Sequence, residues 1–372
     1  MSSRATAPVA APVSGSPRPR LPVRGEGTGR ADRQNRERGR HGALWGIVLA
    51  VVLVASVTLA ITIGPAHITP TEVWGSVLHH LGIGHSPLGL LRDGIVWELR
   101  LPRVLTAAAV GAGLAVSGAV MQALTRNPLA DPYLLGLSSG ASLGAVAVLL
   151  LGAAVLLPVA AFLGAMLALG MTLLLANSLG RITPSRTVLA GLAVSALASA
   201  ATSLIIFWTV TGDSYREILG WLLGSLAGAR WPAVAIGFAA VVVAGIPILL
   251  SGRILDAFAF GDTSAATLGV NVQGVRWSLL GATALLTGAM VSVSGSIGFV
   301  GLILPHAVRL VAGVRHRTLL PLVALVGAIF LIWADTAARS LFDPRELPVG
   351  IITALIGAPI FAALLARRKS AT

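Results

Sequence analysis

An all-α polytopic membrane protein of about ten transmembrane helices, with an internal inverted repeat, is the architecture this chain predicts. Three observations carry that expectation. Ten apolar stretches, each long enough to cross a bilayer, follow residue 41, and almost every charge falls between them. The composition is 55% hydrophobic and 11% charged, with a mean hydropathy of +0.87. A soluble domain of 372 residues would need far more charge to cover its surface.

The elements follow in order. Residues 1–41 carry nine arginines, are rich in Pro, Gly, Ser and Ala, and show no apolar periodicity, which predicts a disordered basic tail. The first span, Gly42–Gly64, lacks any ionisable side chain. A helix rises about 1.5 Å per residue, so roughly 20 apolar residues match the hydrocarbon thickness. The remaining spans fall near 97–125, 135–157, 158–180, 187–211, 231–251, 275–293, 297–313, 319–341 and 348–366. Ten crossings put both termini on one side. With that side cytoplasmic, 20 of the 27 basic residues lie inside and seven outside, as the positive-inside rule asks.

The net charge of +13 is therefore a matter of topology and lipid contact, and no nucleic acid is expected as a partner. Cysteine is absent, which removes disulfides and thiolate metal sites. Lys369 is the only lysine, so there is no Gly-Lys pair for a nucleotide-binding P-loop. No HExxH pattern or nucleophile–base pair marks an intramembrane enzyme. Within the spans the carboxylates offer little beyond Asp335, too few for an ion-coupled carrier. Asp335 is read as structural and partnered, with Arg339 four residues on within reach. His79, His80 and His85 share one loop without a supporting carboxylate pattern, so no metal site is expected there.

Residues 111–118 read GAGLAVSG and 288–295 read GAMVSVSG, an offset of 177 that also carries Pro128 onto Pro305. These segments belong to spans two and seven, which run in opposite directions, the pattern of an inverted repeat. Gly295, Gly298 and Gly301 suit close helix packing or a hinge. Between spans six and seven, GDTSAATLGVN opens with a helix start signal at Asp262/Thr263 and stops at Gly269. It reads as a short surface helix with Ala265, Ala266 and Leu268 available for packing.

Several blocks together make the chain similar to a known family. They are LRLPR at 99–103, SGAVMQALTRNPLADPYLLGLSSGA at 117–141, GDTSAATLGVNV at 261–272, SGSIGFVGLILPHAVRL at 294–310, ADTAARSLF at 334–342 and ELPVGIITALIGAPIF at 346–361. Over residues 45–368 the chain resembles the permease subunits of type II ABC importers for ferric siderophores, haem and cobalamin. The long basic tail departs from that pattern.

The resemblance implies a cobalamin-permease-like body over 42–368, in the cytoplasmic membrane of a bacterium. It implies a homodimer, two ATP-binding subunits that bind the ATP, an extracytoplasmic binding protein, and no cofactor or catalytic site in this chain. Its cargo would be an iron complex such as a ferric siderophore, with haem and cobalamin as alternatives. Residues 261–272 would form the coupling helix, with Gly261, Asp262, Ala265, Ala266, Leu268, Gly269 and Val270 against the ATP-binding subunit. Arg100 and Arg339, helped by Arg103, would be exposed and receive acidic residues of the binding protein through guanidinium–carboxylate pairs.

Overall fold

The computed structural model describes residues 27–369 apart from 154–155, 179–182, 210–213, 260, 268, 270 and 343–344. It divides into Met1–His41 and a helical body, Gly42–Thr372. In the first unit helical backbone begins at Gly27. Arg, Gln and Glu are good helix formers.

The elements are α1 (Gly27–Thr62), α2 (Pro70–His80), α3 (Leu90–Gly94), a π-helical turn (Ile95–Arg100) and α4 (Leu101–Thr125). A 3-10 turn (Pro132–Leu135) leads to α5 (Leu137–Leu150), α6 (Leu157–Ser178), α7 (Pro184–Thr209) and α8 (Ser214–Leu222). Then come α9 (Trp231–Ala240), a second π-helical turn, α10 (Ile246–Leu250), α11 (Gly252–Ala259) and α12 (Asp262–Thr267). The body closes with α13 (Val272–Ser294), α14 (Val300–Ala312), α15 (His316–Ser340) and α16 (Val349–Lys369). No strand occurs among the described residues. Seven helical runs are long and apolar enough to cross a membrane, and Leu137–Leu150, Val300–Ala312 and Val349–Ala363 are shorter apolar helices. Together they account for the ten stretches read from the sequence.

The continuous run Leu90–Thr125 is the axis of the body: α4 is buried along nearly its whole length and packs on α15, α13, α14 and α9. Small residues permit this. A methyl group on Gly111 would overlap the carbonyl of Gly327 in α15, and one on Gly118 would overlap that of Gly301 in α14. Lipid gives no hydrophobic drive for helices to associate, so backbone approach and van der Waals contact must supply it. Gly301 thus packs as expected, whereas the space around Gly298 is open. The repeat's two copies sit differently, 111–118 in the middle of α4 and 288–295 at the end of α13.

α1 lies at the edge. Leu44, Ile47, Val51 and Val54 are exposed, an apolar stripe suited to acyl chains. Its inner face meets α15, where Trp333 Nε1 donates to Ser56 Oγ at 3.0 Å. Before α4, α2 starts with a reciprocal cap: Thr69 Oγ1 accepts from the Glu72 amide at 3.4 Å and Glu72 Oε2 accepts from the Thr69 amide at 2.8 Å. That backbone bond, with the Thr69 hydroxyl, holds the Glu72 carboxyl below its ordinary value.

Candidate functional site

The arginines and the short helix singled out in the sequence lie at two ends of the bundle. At one end lie Arg100, Arg103 and Arg339, less exposed than expected. Arg100 is 8% exposed and Arg339 half-buried. Arg100 Nη1 donates to the Ile61 carbonyl at 2.7 Å, and Nη2 to that of Ala66 at 3.1 Å. Arg339 Nη1 donates to the Ile63 carbonyl at 2.7 Å, and Nη2 to that of Ala60. The two arginines therefore close the C-terminus of α1. The last carbonyls of a helix lack intrahelical donors and carry the negative end of its dipole, so cations are favoured there. This corrects the reading of both as freely exposed: α1's carbonyls, distant in sequence, bury them.

Arg103 holds two carboxylates at once. Its Nε and Nη2 meet Asp335 Oδ2 and Oδ1 at 2.8 and 3.0 Å, and its Nη1 meets Glu346 Oε2 at 2.8 Å. Asp335 is thus partnered, as its burial requires, but by Arg103 on α4; Arg339, one turn further along its own helix, is occupied at α1. Glu346, which the sequence did not single out, is 47% exposed and is where the network meets the surface.

At the other end, α12 is shorter than the expected 261–272 helix. Gly261 precedes it with φ 99°, and its carbonyl accepts the Ala265 amide at 3.0 Å. Asp262 stands in the first turn, where its charge suits the helix dipole. Its carboxylate takes Arg276 Nη2 at 2.8 and 2.9 Å, with Arg126 at 3.7 Å. The Arg276 guanidinium also lies 5.5 Å from the centre of the Phe258 ring on α11. Ala265 is fully buried whereas Ala266 is exposed, so the helix has one anchored face and one open face. Gly269, at φ 81°, ends the turn in the left-handed conformation that glycine adopts without a Cβ clash. Leu268 and Val270 lie outside the described residues. Asn271 then caps α13 by accepting the Gly274 amide at 3.0 Å.

A polar network that the sequence did not single out links α4 to α14. Pro305 lies inside α14 and has no N–H for the Gly301 carbonyl. Gln122 Nε2 donates to Gly301 and Leu302 carbonyls at 3.3 and 3.0 Å, and its Oε1 accepts from Arg309 Nη1. Proline within an apolar span was the available signal, since the freed carbonyl must find a donor. Nearby, Tyr133 Oη donates to the Ile297 carbonyl at 3.0 Å and accepts the Ile297 amide at 3.2 Å. Asp131 Oδ1 accepts the Tyr133 amide at 2.8 Å. Burial pushes the Asp131 carboxyl up to about 6, against the opposing pull of that amide.

The geometry describes a helical body braced at both ends by arginine–carboxylate and arginine–carbonyl contacts. Among the described residues no cluster of His, Asp and Glu could hold a metal ion. Residues 52–367 match the FecCD transport family. The chain is 42% identical to an uncharacterised ABC transporter permease, YvrB, of Bacillus subtilis, over 85% of this chain and 91% of that one. It is 39% identical to the cobalamin import system permease BtuC of Halobacterium salinarum, over 90% and 99%. It is 43% identical to the hemin transport system permease HmuU of Yersinia pestis, over 74% and 84%. A solved structure described as an inward-facing metal-chelate type ABC transporter superposes with a TM-score of 0.76 and 32% identity, covering 87% of this chain and 98% of that one. The chain belongs to the FecCD transport family and is a multi-pass permease subunit of a type II ABC importer, a class in which a separate subunit hydrolyses ATP and a binding protein supplies substrate.

Proposed function

We propose that this permease imports a metal chelate, with both termini cytoplasmic, as one half of a homodimer whose α12 segments receive the thrust of two ATP-binding subunits. The single observation that carries the coupling role is the two-faced build of α12. Its exposed Ala266 offers a small, uncharged contact, while Asp262 ties the helix to α13 through Arg276 and reaches toward Arg126 at the end of α4. A push on the open face is thereby passed to two spanning helices rather than absorbed by a loose loop. Nucleotide state then biases inward- and outward-open arrangements through its differential binding to them.

At the far end, the binding protein would dock over the Arg103–Asp335–Glu346 network. Exposed Arg345 and Glu346 would make the contact, and Arg100, Arg103 and Arg339 would serve as the scaffold beneath. For cargo, two relatives named for cobalamin and hemin transport favour a metal tetrapyrrole over the ferric siderophore expected from the motifs. Uptake of labelled cobalamin, haemin and a ferric siderophore into proteoliposomes, with the cognate ATP-binding subunit and binding protein, tests this. ATP-dependent uptake of a tetrapyrrole in excess of the siderophore is expected. Uptake confined to the siderophore would return the cargo to that class, and uptake without the ATP-binding subunit would defeat the mechanism.

A further inference from the structure

We propose that a small cavity between α4, α7 and α13 is the site of a single structural water, held by Arg276. The cavity has a volume of about 20 Å³. That exceeds the roughly 10–15 Å³ one water needs and is too small for a phosphate or an organic ion. Its polar lining comes from three helices: Thr125 ends α4, Thr187 lies in the first turn of α7, and Arg276 lies near the start of α13. Thr183, just ahead of α7, lines it too and is exposed. Met121, Leu124, Leu135 and Leu280 form apolar walls, and all four are buried.

Arg276 creates the demand for an occupant. Its Nη2 meets both oxygens of Asp262, at 2.8 and 2.9 Å, so its charge is already matched. Its Nε is buried and has no hydrogen-bond partner among the described residues. Arg276 as a whole is 9% exposed. A buried guanidinium N–H without an acceptor loses its hydration and gains nothing in exchange. The acceptor it requires can stand in the cavity that Arg276 lines.

The two threonines decide what that acceptor is. Thr125 Oγ1 donates to the Met121 carbonyl at 2.7 Å, and Thr187 Oγ1 donates to the Thr183 carbonyl at 3.0 Å. Each hydroxyl proton is thereby committed, and each oxygen presents only lone pairs to the cavity. An anion would accept from Nε but meet those lone pairs with its own. A cation would suit the lone pairs but face the guanidinium. Water both accepts from Nε–H and donates its two hydrogens to the hydroxyl oxygens. Three hydrogen bonds are the usual complement of a buried water. The water joins Arg276, and through it Asp262 and α12, to α7 as well as α4. The site belongs to Arg276 whether or not α12 is the coupling helix.

Radiolytic hydroxyl-radical footprinting of the full-length permease in nanodiscs tests the proposal. The radicals form from water and react close to where they form, and methionine sulfur is readily oxidised. Met121 is 1% exposed and lines the cavity, whereas Met290 is 0% exposed and lies outside it. Met121 should be oxidised in the parent and Met290 should not. Thr125→Val with Thr187→Val keeps the side-chain shape and removes the lone pairs, so oxidation of Met121 should fall severalfold. Thr125→Ser with Thr187→Ser should retain most of it, which separates loss of the acceptors from loss of fold. Met121 as well protected as Met290 in the parent, or equally oxidised in the double Val variant, overturns the proposal. A cryo-electron microscopy map of the parent is the second measurement. It should show density within hydrogen-bond distance of Arg276 Nε and a threonine hydroxyl, and a map without that density overturns the assignment. Density that strengthens when bromide replaces chloride would make the occupant an anion, and the water assignment falls. Both measurements are made on the permease alone, so their failure is distinct from a failure of the coupling assignment.

Discussion

Arg103 and Asp335 face each other through two parallel hydrogen bonds, at 2.8 and 3.0 Å, between helices α4 and α15 that pack along much of their length. Asp335 is 2% exposed and Arg103 12%. Removing one member leaves the other as an uncompensated buried charge, which costs about 3–5 kcal/mol. Arg103→Gln and Asp335→Asn should each lower the thermal midpoint in detergent strongly. Arg103→Met with Asp335→Leu should recover much of the loss, because apolar replacements of similar volume restore packing. Glu346→Gln should be nearly silent, since a half-exposed partner contributes only about 0–1 kcal/mol. A double variant less stable than either single one would refute this account.

The arginines that close α1 have a different signature. Arg100→Gln with Arg339→Gln should free the end of α1 without unfolding the α4–α15 core. Charged hydrogen bonds contribute about 1.5–3 kcal/mol each, so the loss is measurable as a lower melting temperature. Hydrogen exchange should accelerate at residues 59–66 and stay slow in α4. Protection unchanged at 59–66 would show that Trp333 and the apolar face hold α1 unaided.

On α12 the two alanines predict opposite failures. Ala266→Glu should permit membrane insertion but abolish stimulation of the ATP-binding subunit, because a charge then stands on the open face. Ala265→Glu should reduce membrane abundance, because it forces a carboxylate into a fully buried position. Gly269→Pro should resemble Ala266→Glu. Proline fixes φ near −65° where the backbone holds 81°, and it removes the amide that donates to the Ala266 carbonyl at 2.9 Å. Normal ATPase stimulation by Ala266→Glu would remove α12 from the coupling path.

Asp131 should make stability depend on pH. Its carboxyl in the folded protein is raised to about 6 from an ordinary value of 3.8. Between those values the folded state binds more protons than the unfolded one, so stability falls as pH rises from about 4 to 6 and stays lowered above. Asp131→Asn keeps the acceptor for the Tyr133 amide and removes the charge. It should raise the melting temperature at pH 8 and change it little at pH 4. Tryptophan fluorescence across that range reads the difference directly, and a variant equally stabilised at both pH values would exclude Asp131 as the cause.

The spans were legible because hydropathy reports burial from water whatever the partner. The small-residue character of α12 and its stop at Gly269 were legible for similar reasons, as both are properties of a local segment. The burial of the arginines was not. A guanidinium in LRLPR is equally suited to a foreign carboxylate and to a helix's last carbonyls, and nothing local shows that the Ile61 carbonyl, some forty residues away, takes a bond from Arg100. The partner of Asp335 was hidden for a similar reason: spacing placed Arg339 within reach, whereas the bonds come from Arg103 on another helix. The short helix α8, nine residues long, lies between the expected spans 187–211 and 231–251 and is too brief for periodicity to declare itself.

The donor that completes α14 is on loan from α4. Separating the two helices would strip Gln122 from the Gly301 carbonyl, which Pro305 already leaves without a helical donor, at a cost on the order of several kcal/mol. With Gly118 seated against Gly301 as well, there is no room for one helix to slide past the other. The pair is therefore braced as one strut. It is flanked by Gly295–Phe299 on one side of α14 and Gly313–Arg315 on the other, where the chain leaves the helical conformation. Gln122 is in this sense a mechanical rivet, and loosening it would turn a stiff lever into two slack ones.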